Sequence, residues 1–194
     1  TGRDIILKFE GNYHGFHDHT LWSTYAPTEA MGNARSPIPV PSSSGIPKAM
    51  REFIITLPFN DAEGFERVMR SYGDQIAAVI TEPCQGNCGA IEPLPGFLEL
   101  IRKQTKEHGT VFILDEVKTG FRIANGGAQE YYRIQPDLAA GRAFRGRVAT
   151  PRTPRQNVRS KAVDRVPRGR ARRRVRAGAN LHASHRPRGR DRPP

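Results

Sequence analysis

Val111-Phe112-Ile113-Leu114-Asp115-Glu116 is the stretch whose reading decides the fold. Four apolar residues follow one another without polar alternation, the pattern of a strand covered on both faces in a parallel sheet. The run stops on two carboxylates. Working back, residues 97–108 read as a helix, with Phe97, Leu98 and Ile101 apolar and Gly109 as its stop. Ile76-Ala77-Ala78-Val79-Ile80 is a second uninterrupted apolar run. Ahead of it, Asn60 stands three residues before Glu63 as a helix cap, Ala62, Phe65, Met69 and Tyr72 recur on one helical face, and Gly73 closes the helix. Residues 53–57 and Ile5-Ile6-Leu7-Lys8-Phe9 read as further strands, and the Pro-, Ser- and Gly-rich residues 26–47 as a long surface loop. Strand, helix, strand, helix, strand predicts an α/β fold: a partial, mostly parallel sheet with flanking helices and right-handed crossovers.

Charge divides the chain into two parts. Residues 1–140 carry 13 Lys and Arg against 17 Asp and Glu, net −4, whereas residues 141–194 carry 18 against 2, net +16. The whole-chain charge of +12 is therefore a property of the tail alone. That tail has one Phe, one Leu and no Ile, Met, Tyr or Trp among many Arg, Pro, Gly and Ala. Such a composition cannot bury enough apolar surface to offset the entropy of ordering, and predicts a disordered segment. The sequence thus reads as a domain over residues 1–140 and a tail over 141–194. No apolar run has the length of a membrane span, nothing at the start resembles a secretory leader, and the two cysteines, Cys84 and Cys88, give no disulfide framework. A cytoplasmic setting is the expectation. The chain opens on Thr1 and is expected to be cut from something longer.

In parallel sheets ligands gather beyond the carboxyl ends of the strands. Glu82, after the third of these strands, and Asp115, after the fourth, both fall there. Each acid alone reads equally as a loop cap or the partner of a cation. His14, His17 and His19 have the spacing of a metal site but lack further ligands, so no metal is expected.

The strings KFEGNYHG (8–15), TEPCQGNCG (81–89), ILDEVKTGFR (113–122), GGAQEYY (126–132) and PDL (136–138) occur in that order. Together they resemble the class III pyridoxal-phosphate-dependent aminotransferases, most closely the glutamate-1-semialdehyde 2,1-aminomutase branch, over nearly all of residues 1–138. The resemblance implies the central part of the large domain of a fold-type I pyridoxal-phosphate transferase. It also implies amino-group transfer through a pyridoxal imine, a small amino or keto substrate, and a homodimeric parent. By the same resemblance, Asp115 is the carboxylate that keeps the cofactor's pyridine nitrogen protonated. Tyr13 stacks on one face of the ring, Val117 packs on the other, Asn87 bonds the phenolic oxygen, and Glu82 supports. Read from residues alone, Tyr13 also suits a loop aromatic, Asn87 a turn asparagine among glycines, and Val117 a core residue.

The resemblance stops at the nucleophile. In the family a lysine follows PDL within a few residues, yet this chain reads PDLAAGRAFRGRV over 136–148, with Arg142 or Ala143 in its place. A guanidinium stays protonated and cannot serve as the nucleophile. The expectation is a chain without activity of its own, whose tail arises from a shift of reading frame in GC-rich coding DNA. The alternative expectation is a non-catalytic α/β domain with a basic arm that binds nucleic acid non-specifically.

Overall fold

The uninterrupted apolar runs become strands. In the computed structural model, which describes residues 1–141, these are β1 (Ile5–Phe9), β4 (Ile54–Leu57), β5 (Ile76–Thr81) and β6 (Val111–Asp115). Beyond Gly141 the tail read as disordered, with Arg142 and Ala143, lies outside the described residues. A short strand β7 (Leu138–Ala140) completes one sheet of order β4-β1-β5-β6-β7, and every neighbouring pair in it is parallel. Within the predicted loop, β2 (Gly32–Asn33) and β3 (Ser36–Pro37) form a two-residue antiparallel ladder.

Helix α1 (Ala62–Tyr72) is capped by Asp61, whose side chain accepts from the Gly64 N–H at 2.9 Å. Asn60, the expected cap, has a positive φ of 70° and instead bridges to residues 92–94, donating to Glu92 O and accepting from Leu94 N–H. Of the four residues expected on the buried face, Phe65 and Met69 are buried while Ala62 and Tyr72 are exposed. Helix α2 (Phe97–Glu107) buries Phe97, Leu98 and Ile101 as its pattern predicts, and Thr105 as well. A five-residue helix, α3 (Gly127–Tyr131), follows β6.

The main core lies between one sheet face and α1 and α2. Phe9 is fully buried at its centre, with ring centroids 5.4 Å from Phe97, 5.9 Å from Phe59 and 6.1 Å from Phe65. Each such ring contributes about 2–3 kcal/mol by leaving water. A second cluster of Leu21, Trp22, Ile46 and Ile54 packs with Ile6, Tyr13 and Met50. Ala77, Ala78 and Ile80 of β5 and Ile113 of β6 stay half-buried, so the two-faced cover expected for these strands is incomplete within the described residues.

At the amino ends of the strands, Arg3 ties three segments together. Its Nη1 donates to Gly73 O and Ile76 O, both at 3.1 Å, and to Thr110 Oγ1 at 3.4 Å. The opposite, carboxyl ends are left for the loops that carry chemistry.

Candidate functional site

The strand order places the site. From β1 the chain crosses to β4 on one side and then returns to β5 on the other, so β1 and β5 flank a topological switch point. Connections diverge there, and the carboxyl ends enclose a crevice. The loops after β1, β5 and β6 meet in it.

Cross-links between these loops are short and buried. Asn12 Oδ1 accepts from Thr81 Oγ1 and from the Glu82 N–H, each at 3.1 Å. Glu82 returns the connection: Oε1 accepts from the Tyr13 N–H at 2.8 Å and Oε2 from the Gly86 N–H at 3.0 Å. Asp115 ends β6 with Oδ2 2.8 Å from His14 Nδ1 and Oδ1 accepting from the Val117 N–H at 3.1 Å. A carboxylate only accepts, so Nδ1 carries the proton of the His14 bond. Burial pushes the Asp115 carboxyl up, but the His14 hydrogen bond, the Val117 N–H and the nearby imidazole together bring it below the usual carboxylate value.

A cavity of about 290 Å³ opens between the loops, near the lower end of the roughly 300–1,000 Å³ of small-molecule sites. Tyr13, Glu82, Asn87, Asp115 and Val117, the five residues singled out in the sequence, all line it, together with Tyr25 and Lys118. Val117 is 62% exposed rather than a core residue. Glu82 is buried, with both oxygens on backbone N–H groups, which makes it a bracket between two loops.

Three residues of the site's framework escaped the sequence reading. In the sequence His14 reads only as a member of a histidine cluster, yet its side chain is 1% exposed and spent on Asp115, while His17 and His19 stack on each other. Its adjacency to Tyr13 is the one signal that could have drawn it in. Among the described residues no group of three or more His, Cys, Asp or Glu is placed to hold a metal. The second is Lys8, which is fully buried and donates to Asn12 O at 2.8 Å, Thr20 O at 3.1 Å and Trp22 O. Burial pulls it from 10.5 down to about 8, against the opposing pull of Glu10 and Glu82. Lys8 thereby staples the loop that presents Tyr13 and His14.

Glu116 is the third. Its Oε2 accepts from Thr119 Oγ1 at 3.2 Å and from the Ala128 N–H, and its Oε1 accepts from Gln129 Nε2 at 2.7 Å. It anchors the start of α3 against the turn after β6. Gly127 makes room for it, having φ +71° and a position where a Cβ would stand 2.1 Å from Glu116 Oε2. Cys84 and Cys88 are free, and burial pushes both thiols up.

Fold and site together define a parallel α/β domain with a carboxylate-lined cavity at its switch point. The profile of the family "Aminotransferase class-III" matches residues 1–145, and the chain belongs to that family. It is 46% identical over 138 residues to the glutamate-1-semialdehyde 2,1-aminomutase of Hyperthermus butylicus, covering 71% of this chain and 31% of the relative. Among solved structures it is similar to an omega-transaminase from Sphaerobacter thermophilus, with a TM-score of 0.67 and 37% identity over 72% of this chain and 31% of that one. A glutamate-1-semialdehyde aminomutase from Pseudomonas aeruginosa PAO1, in complex with PMP, aligns with a TM-score of 0.57 and 27% identity, covering 71% of this chain and 29% of that one. The chain thus spans about a third of the length of the relatives it matches.

Proposed function

We propose that residues 1–140 are the central piece of the large domain of a pyridoxal-phosphate-dependent aminotransferase or aminomutase, akin to glutamate-1-semialdehyde 2,1-aminomutase, and that the cavity is the ring-binding part of its cofactor site. The observation that carries this reading is Asp115: a buried carboxylate kept ionised, at a strand end, facing a cavity with an aromatic side chain. These residues fit the pyridine half of the cofactor. When bound, the cofactor supplies an electron sink for bonds at an amino-bearing carbon.

In this reading Asp115 holds a proton on the ring nitrogen by opposite charge, and His14 fixes the carboxylate's direction. Tyr13 covers one ring face and Val117 the other, and Asn87 donates to the phenolic oxygen. Glu82 keeps the Tyr13 loop in place. The family resemblance makes the parent a homodimer.

The chain itself does not carry the reaction. Residues 136–148 contain no lysine, and the arginines there stay protonated. The alternative, a domain with a nucleic-acid-binding arm, rests on the charge of the tail and gains no support from the described residues.

Two measurements on the full chain test the reading. Pyridoxamine phosphate should shift the NMR signals of Tyr13, Asn87 and Asp115, and the absence of any shift there refutes the cofactor site. Pyridoxal phosphate followed by borohydride should leave no specific adduct within residues 1–141. One mapped to a single lysine of that region refutes the inactivity.

A further inference from the structure

Three charged side chains line the cavity: Glu82, Asp115 and Lys118. Two are already engaged. Glu82 accepts two backbone N–H groups, and Asp115 is held by His14 and the Val117 N–H. Lys118 is exposed, and its ammonium makes no hydrogen bond or ion pair among the described residues.

The rest of Lys118 is held in place. Arg122 Nη1 donates to Lys118 O at 2.8 Å and to Val117 O at 3.2 Å, which fixes the backbone of the turn. Its stem lies over Gly86, where an added Cβ would stand 3.0 Å from Lys118 Cγ and 3.3 Å from its Cβ. A side chain at position 86 would therefore press on the Lys118 stem. A lysine that lines the cavity with no partner of its own for the ammonium is available to pair with an anion.

The geometry points to Lys118 as a specificity-determining residue that recognises the carboxylate of an amino- or keto-acid ligand in this cavity. The choice of ligand class rests on the cofactor reading above; the anion preference rests on Lys118 alone. A ligand carboxylate would pair with the Lys118 ammonium and so lie on the Val117–Lys118 side.

The test is an NMR titration of the full chain with glutarate, neutral glutaramide, inorganic phosphate and pyridoxamine phosphate, on wild type, Lys118→Met and Lys118→Arg. Glutarate should shift the Asn87, Val117 and Lys118 amides saturably, and glutaramide should not. Lys118→Met should weaken glutarate about 5-fold, the scale of one exposed ion pair, and Lys118→Arg should retain it. Equal glutarate binding by wild type and Lys118→Met overturns the inference. So does a Lys118-dependent response to phosphate stronger than that to glutarate, which would assign the ammonium to a phosphate group. Pyridoxamine phosphate separates the two readings. If it leaves Tyr13 and Asp115 unmoved while glutarate still depends on Lys118, the cofactor site falls and the carboxylate site stands.

Discussion

Lys8→Met removes the buried ammonium beneath the Tyr13 loop while keeping most of the volume of its stem. Thr24 Oγ1 lies 3.3 Å from Asn12 O and 3.4 Å from Trp22 O, and its single proton can serve only one of them at a time. Thr20 O and one of that pair lose their donor, at a cost of about 1–3 kcal/mol each. Against that stands the desolvation of the charge. A value pulled from 10.5 to about 8 corresponds to roughly 3 kcal/mol spent in holding Lys8 charged. The two effects nearly cancel at neutral pH, so a single stability measurement there decides little.

The pH slope decides it. Lys8 has its lower value in the folded state, so between about 8 and 10.5 the unfolded chain holds more protons, and wild-type stability gains as pH rises. Below about 8 both states are protonated and the full cost is present. The stability difference, wild type minus Lys8→Met, should grow by roughly 3 kcal/mol across that window. Burial pushes Tyr132 up to about 12 and raises Cys84 and Cys88, and these groups titrate in the opposite sense. They are common to both proteins and drop out of the difference. Urea unfolding followed by the fluorescence of Trp22, the single tryptophan and itself an acceptor from Lys8, supplies the readout. A difference that stays flat from pH 8 to 10.5 refutes the buried-charge account.

His14→Ala should return the Asp115 carboxyl towards its ordinary range, read by carbon NMR titration, and destabilise the chain by about 1–3 kcal/mol near neutral pH. Asp115 contributes stability that is present above 3.8 and lost as pH falls below it, so the acid-side loss should become shallower in this variant. An unchanged Asp115 titration would falsify the positioning role. Glu116→Ala leaves the buried Ala128 N–H without its acceptor and should cost about 3 kcal/mol, with faster hydrogen exchange at Ala128 and Gln129. Exchange as slow as in wild type would mean that α3 is anchored otherwise.

Strands β1, β4, β5 and β6 were legible because long apolar runs admit few other readings. The position of Asp115 followed from the abrupt end of one such run. β7 and α3 left no comparable trace: Leu138, Ala139 and Ala140 are all exposed, and α3 depends on the Glu116 carboxylate more than on any periodicity of its own. The cap of α1 moved by one residue because Asn60 was claimed by Glu92 and Leu94, a contact made across more than 30 residues. Short-range rules cannot see such a competitor. The same limit hid His14 and Lys8, whose roles come from partners brought near by the fold, and it left Tyr72 on the wrong side of the helix.

The cross-links around the cavity carry a lesson about assembly order. Tyr13 meets Glu82 across 69 residues of chain, and His14 meets Asp115 across 101. Closing loops of that length is entropically costly until the intervening strands are docked. These bonds require β5 and β6 to be in place beside β1. Until then Asp115 has no imidazole and the Tyr13 loop has no bracket, so a ligand that requires both can engage only molecules that have finished folding. In the cofactor reading proposed above, ligand binding at this cavity would report on the docking of β1, β5 and β6.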